Sequence, residues 1–144
     1  MLLNVSYNDP KIKEQIEQEV GKPYTLKERL KLKGVGSPKL LITSTSIEIH
    51  NLLILDKYIN TCNIELRPNG IIVRFRSLLE TFALVIPYYK LSLYKGRSDE
   101  YSIFKDQYFI KIKAEPTNNQ LNKFIKKITQ KKADISSFNG DIYS

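Results

Sequence analysis

Apolar residues recur every four positions between residues 12 and 20, which predicts a short amphipathic helix. Asp9 supplies an N-cap for this helix, and Pro10 stands at its first position, where the missing N–H costs nothing. A second helical turn is predicted to begin at Thr25, which is followed by glutamate three residues later, as in a capping box. Residues 1–37 are therefore predicted to form a helical N-terminal extension.

From residue 40 to residue 114 the pattern changes to β-branched and aromatic residues that alternate with polar ones. The first alternation, from Ile47 to His50, leads into an apolar run at residues 52–55. This stretch is predicted to be the first strand of the block.

The clearest hairpin joins residues 64–67 to residues 71–76 through Asn69-Gly70, because asparagine and glycine tolerate the positive φ values of tight turns. In its second strand Ile71, Val73 and Phe75 share one face and are predicted to face the core. Arg74 and Arg76 then lie on the opposite face, in water.

Four further strands are predicted at residues 82–86, 90–95, 101–104 and 108–113. Pro87 ends the first of them because proline cannot donate a hydrogen bond to a strand ladder. The predicted total is about seven strands.

A final amphipathic helix is predicted over residues 119–131. Its apolar residues follow the spacing i, i+3, i+4, i+7; they are Leu121, Phe124, Ile125 and Ile128. Residues 133–144 are rich in small polar residues and are predicted to be a flexible tail.

Seven antiparallel strands followed by one C-terminal helix resemble a bacterial pleckstrin-homology-like domain. Similar domains often have an apolar strand that runs into Ile-Pro-Tyr, as residues 85–91 do here, and the phrases at 101–112 and 119–131 resemble their last hairpin and closing helix. The resemblance implies a seven-stranded antiparallel barrel or two-sheet β-sandwich at residues 38–132, capped by the C-terminal helix. The fold class is mainly β with helices (α+β), and the resemblance carries no catalytic residues.

The composition of the 144 residues fits one ordinary domain, with 42% apolar and 26% charged residues. One cysteine, one histidine and no tryptophan exclude disulfide scaffolds, cysteine-rich zinc sites and two-histidine metal motifs. We therefore expect no cofactor and no metal. A single cysteine also fits the reducing cytoplasm.

The net charge of +8 is concentrated in residues 73–144, which carry 13 basic and 7 acidic side chains. Such an excess attracts anionic partners, although lysine-rich surfaces also serve solubility alone. The candidate anion- or partner-binding residues are Arg74, Arg76, Lys111 and Lys113. Aromatic residues interleaved with lysines would also suit single-stranded nucleic acid, but aromatic residues equally favour strands and small cores.

Neither His50 nor Cys62 has a recognisable reactive partner in the sequence, so no enzymatic activity is predicted. The function predicted is a PH-like binding module, with a protein as the leading partner. The alternative is peripheral binding to anionic lipid or nucleic acid through the basic C-terminal half. Homo-oligomerisation through sheet edges stays open.

Overall fold

Eight antiparallel strands form one sheet in the computed structural model, which describes residues 1–55, 60–96 and 99–143. The strands are β1 (Leu2–Asn4), β2 (Leu40–Thr45), β3 (Thr61–Arg67), β4 (Gly70–Ser77), β5 (Glu80–Pro87), β6 (Ser92–Lys95), β7 (Glu100–Lys105) and β8 (Tyr108–Lys113). Their order in the sheet is β1-β5-β4-β3-β2-β8-β7-β6. Six of the seven predicted strands are confirmed as β3 to β8.

Four α-helices accompany the sheet within the described ranges, and a 3-10 turn at Tyr88–Lys90 follows β5. The helices are α1 (Pro10–Val20), α2 (Leu26–Lys31), α3 (Ile47–Leu53) and α4 (Asn119–Tyr143). The mainly β class with helices is therefore confirmed.

One face of the sheet, the core face, carries most of the buried apolar side chains. In β4 the predicted residues Ile71, Val73 and Phe75 lie on this face, as alternation requires. The apolar stripe of α4 packs against it, and all four residues predicted for that stripe are buried. The hydrophobic core thus lies between the sheet and α4.

The opposite face, the outer face, is covered at one end by α1. Ile16 and Val20 of α1 pack on Ile72, Ala83 and Val85, and all five side chains are buried. The helix is therefore part of the packed fold. Ahead of it, β1 pairs with β5, so the predicted helical extension at residues 1–37 also contains an edge strand. Only three residues long, this strand is too short for its alternation to be recognised.

The β3–β4 hairpin is confirmed, but its turn differs from the prediction. Pro68 and Asn69 form the two-residue turn, Gly70 already pairs with Arg67, and neither Asn69 nor Gly70 has a positive φ. Glycine is required at position 70 for space, since a Cβ there would lie 2.5 Å from Val20 Cγ1.

The strand predicted to begin at Ile47 is wrong, because this stretch is the helix α3. Ile49 and Leu53 are one helical turn apart and both are buried, so the helical register places two side chains in the core. The apolar pattern is compatible with either conformation, and burial decides between them. The strand before this helix is β2, which the sequence analysis did not single out.

The closing helix is longer than predicted. It begins at Asn119 as expected but continues to Tyr143, so the backbone of the predicted flexible tail is helical up to that residue.

Candidate functional site

The four predicted site residues all lie on the outer face of the sheet, in two separate pairs. Arg74 and Arg76 belong to β4, and Lys111 and Lys113 belong to β8, opposite in direction to the buried Ile110 and Ile112. Strands β3 and β2 lie between the two pairs, a separation on the order of 14 Å. The fold therefore does not bring the four side chains to one point.

One member of each pair is neutralised by a carboxylate. Arg74 Nη1 lies 2.5 Å from Glu65 Oε1, and Lys113 Nζ lies 3.4 Å from Glu115 Oε1. Among the described residues, neither Arg76 nor Lys111 has a salt bridge. Lys111 instead lies over the ring of Phe109, with its Nζ 5.8 Å from the ring centroid.

The β4 pair borders a cleft of about 340 Å³ on the outer face, which we call the basic cleft. Its lining residues come from β3, β4, β5 and the chain just before β2 and β3; they are Lys39, Asn60, Thr61, Asn63, Arg74, Phe75, Arg76 and Thr81. The strand register produces this grouping, because Arg74 pairs with Asn63 and Arg76 pairs with Thr81. Among the described residues that line the cleft, three cations, two amides and two hydroxyls meet, and none carries a carboxylate.

Glu65 holds one wall of the basic cleft in place. Its carboxylate accepts hydrogen bonds from Arg67 Nε and Arg74 Nη1, each at 2.5 Å. Burial acts to raise the pKa of Glu65, but these two hydrogen bonds and the arginine charges outweigh it and lower the pKa below 4.5. Arg67 is itself fixed, since its Nη1 donates to Gly21 O at 2.9 Å. The Arg74 guanidinium is thus positioned before any ligand arrives.

The basic cleft has the chemistry of an anion site. Arginine presents several N–H donors in a planar fork that matches phosphate and carboxylate groups, and Arg76 is exposed with no carboxylate partner in the described ranges. The amides of Asn60 and Asn63 add neutral donors beside it.

The side chains considered for nucleophilic chemistry lie elsewhere. Cys62 is buried on the core face, and burial raises the pKa of its thiol to about 12, so it is a protonated packing residue. His50 is exposed on α3 rather than on a strand. Within the described ranges, no group of three or more histidine, cysteine, aspartate or glutamate residues could hold a metal ion.

Sequence reasoning found Arg74 and Arg76 through strand alternation but missed the other residues of the basic cleft. Lys39, Asn63 and Thr81 come from three different segments, and only the pairing of β2, β3, β4 and β5 makes them neighbours. No local pattern in the sequence signals such a grouping.

No helix in the described ranges is both long enough and apolar enough to span a bilayer. Comparison with protein-family models, with curated proteins and with solved structures gave no match.

Proposed function

We propose that this chain is a non-enzymatic, pleckstrin-homology-like binding module that docks reversibly on anionic bilayers through the basic cleft. The strand order supports the PH-like part of this proposal. Apart from β1, the sheet consists of a four-strand meander, β2 to β5, and a three-strand meander, β6 to β8, joined by the pairing of β2 with β8. The α4 helix then packs on the core face, as the resemblance implies.

The observation that carries the membrane proposal is the turn between β4 and β5. Ser77 pairs with Glu80, so Leu78 and Leu79 form the tip of this hairpin, where they are 55% and 88% exposed. Tight hairpin turns normally use glycine, asparagine or aspartate, because those residues tolerate positive φ and water. Two leucines at a hairpin tip contribute little to the packing of this fold.

Leu78 also adopts an unfavourable backbone conformation. Its φ is +57°, in the left-handed region, which costs a leucine about 1–2 kcal/mol relative to ordinary backbone. Glycine would occupy this position without that cost. A strained, exposed leucine is consistent with a role outside the folded core.

More aliphatic surface lies beside this turn, at the end of α3. Ser77 Oγ donates a hydrogen bond to Leu52 O at 2.5 Å, which holds the end of α3 next to the hairpin tip. Ile54 and Leu55 follow at once and are both exposed.

One residue pair, Ser77 with Glu80, separates the basic cleft from the leucines. Arg76 and Thr81 pair directly next to Ser77 and Glu80, so the Arg76 position lies roughly 7 Å along the strand from the tip. Amphipathic elements bury their apolar part about 5–10 Å into the boundary between headgroups and acyl chains. Leucines inserted to that depth would therefore bring Arg76 level with lipid phosphates.

The magnitudes fit reversible docking. Two leucines gain about 3 kcal/mol when their exposed area is removed from water, and each cation contributes about 1 kcal/mol near an anionic surface. The total free energy of binding is therefore similar to that of a single acyl chain, whose membrane binding is marginal and reversible.

The test is co-sedimentation of the full chain with phosphatidylcholine vesicles and with vesicles that also contain phosphatidylglycerol. We expect binding to the anionic vesicles at about 0.15 M salt. Leu79→Ser and Leu78→Gly should each weaken it about tenfold. Leu78→Gly relieves the positive φ, so it should lose binding without losing stability. Leu26→Ser is the matched control, because Leu26 on α2 is 73% exposed, between the values of Leu78 and Leu79.

Arg76→Gln tests the cleft separately, with Lys123→Gln as a control that removes one exposed charge elsewhere. Inorganic pyrophosphate, followed by NMR chemical shifts, asks whether the cleft binds a free anion. If pyrophosphate shifts the cleft resonances but no vesicle binds, the cleft is an anion site and the bilayer proposal is wrong. Equal binding to neutral and anionic vesicles would show that the cleft has no part in docking.

A further inference from the structure

The α2 helix exposes its apolar side chains instead of burying them. None of its six residues is buried, and Leu26 and Leu30, one helical turn apart, are each 73% exposed. Its start is instead held by a capping box, in which Thr25 Oγ1 accepts from Glu28 N at 3.3 Å and Glu28 Oε1 accepts from Thr25 N at 3.0 Å. The helix is thus formed locally, and its leucines remain available.

A groove of about 350 Å³ lies where the end of α2 meets α4, and we call it the α2–α4 groove. It is lined by Leu32, Leu66, Lys123, Lys126, Lys127, Gln130 and Lys131. Leu66 is fully buried and Leu32 partly buried, so apolar side chains form the floor while lysines of α4 form the wall.

Two of these lysines are fixed by contacts with the chain around α2. Lys127 Nζ donates to Lys33 O and Gly34 O, both at 3.2 Å, just past the end of the helix. Lys131 Nζ lies 5.7 Å from the ring centroid of Tyr24, which precedes the helix. The two sides of the groove are therefore tied together in the absence of a ligand.

The remaining charge of the groove is not compensated within the described ranges. Lys123 and Lys126 are exposed and take part in no salt bridge there. Glu28 is a nearby carboxylate on α2; its Oε1 is engaged in the capping box, and its charge acts on Lys131 rather than pairing with Lys123 or Lys126. On α4, Asp134 accepts a hydrogen bond from Gln130 at 2.7 Å.

We infer that the α2–α4 groove binds an acidic, amphipathic segment of a protein partner. Apolar side chains of that segment would contact Leu32 on the groove floor, and its carboxylates would face the lysines of α4. A segment long enough to cross α2 would also cover Leu26 and Leu30, which lie outside the groove lining. Charge complementarity selects this occupant over a basic or neutral segment. This surface is separate from the basic cleft, so the inference does not depend on the bilayer proposal.

The probe is a labelled synthetic peptide in which leucines recur at i, i+3 and i+4 and the other positions are mainly glutamate. Two comparison peptides replace all glutamates by lysine or all leucines by serine. NMR titration of the full chain should shift resonances of α2 and of the lysine-bearing face of α4 with the first peptide only. Shifts confined to other surfaces, or equal binding of the lysine peptide, would overturn the inference.

Variants then assign the two kinds of contact. Lys123→Glu with Lys126→Glu should weaken peptide binding at least about tenfold, whereas the same change at the exposed Lys11 and Lys13 of α1 should have little effect. Leu26→Ser with Leu30→Ser should weaken it similarly, with circular dichroism confirming an unchanged fold. If these leucine variants instead abolish self-association or vesicle binding, the occupant is a second copy or a bilayer, and the inference is wrong.

Discussion

Gly70 is a residue at which the packing of α1 on the outer face can be tested directly. A Cβ at this position would lie 2.5 Å from Val20 Cγ1 and 2.8 Å from Pro87 Cα, and closer still to Ile86 O. Gly70→Ala should therefore lower the free energy of unfolding by about 1–3 kcal/mol, the usual cost of overpacking. Urea unfolding measures this change.

The matched control is Gly36→Ala, because a Cβ at Gly36 meets no atom of the described residues within 4 Å and the backbone there has no positive φ. This variant should change the free energy of unfolding by less than about 0.5 kcal/mol. If the two substitutions change the free energy of unfolding equally, α1 does not pack tightly against the start of β4.

Glu65 links the charge of the basic cleft to pH. Its pKa in the folded protein is lowered below the unfolded value of 4.5, so its ionised form stabilises the fold above that pH. This stabilisation is lost as the pH falls through the folded pKa. Glu65→Gln should therefore cost about 2 kcal/mol at pH 7, and the difference from the unmodified protein should shrink below about pH 4.5.

Chemical denaturation at a series of pH values checks this expectation. Glu115→Gln is the control, because Glu115 pairs with Lys113 on an exposed part of the surface and such pairs contribute little. If Glu65→Gln lowers the free energy of unfolding by the same amount down to pH 3, the stabilisation does not come from the ion pairs of Glu65.

At the scale of helices and strands, α2 should unfold separately from the rest of the chain because it buries no side chain. Thr25→Ala removes its capping box and should lower the local stability of the helix by about 1 kcal/mol. Hydrogen exchange of the Arg29 and Leu32 amides, which bond to Thr25 O and Glu28 O, reports that change. The free energy of global unfolding should hardly move, and an equal global loss would contradict a local role.

Elements with strong local signals were predictable, and those decided by burial were not. The strand pairing of the β3–β4 hairpin and the α4 stripe were predictable from local sequence and agree with the structure, although the hairpin turns at Pro68 and Asn69 without a positive φ. In α3, Ile47 and Ile49 alternate like strand residues, yet Ile49 and Leu53 also have helical spacing. Only the position of this segment over the core selects the helix.

At the scale of the whole molecule, the candidate site depends on contacts that sequence spacing cannot reveal. Arg74 and Arg76 are two residues apart in one strand, so their shared face was predictable. Lys39 reaches the same cleft because β2 lies beside β3. Thr81 reaches it because β5 lies beside β4. Such grouping is set by the register of the sheet, which arises from the packing of both its faces.

The arrangement of the sheet also makes a prediction about binding. The α4 helix that carries the lysines of the α2–α4 groove packs on the core face, whereas the basic cleft opens on the outer face. A bilayer at the cleft and an acidic segment in the groove should therefore bind at the same time. Coupling between two sites requires that one ligand change the affinity for the other. No described residue lines both the basic cleft and the α2–α4 groove, so we expect little coupling.

The measurement is co-sedimentation of the labelled acidic peptide with anionic vesicles in the presence of the protein. The protein should carry the peptide down with the vesicles. The vesicles should change the apparent affinity of the peptide for the protein by less than about threefold. Protein with Lys123→Glu and Lys126→Glu should sediment with much less peptide, and protein with Leu79→Ser should leave more of both protein and peptide in the supernatant. Displacement of the peptide by vesicles would instead mean that one basic surface serves both ligands, and the division of this molecule into two binding faces would fail.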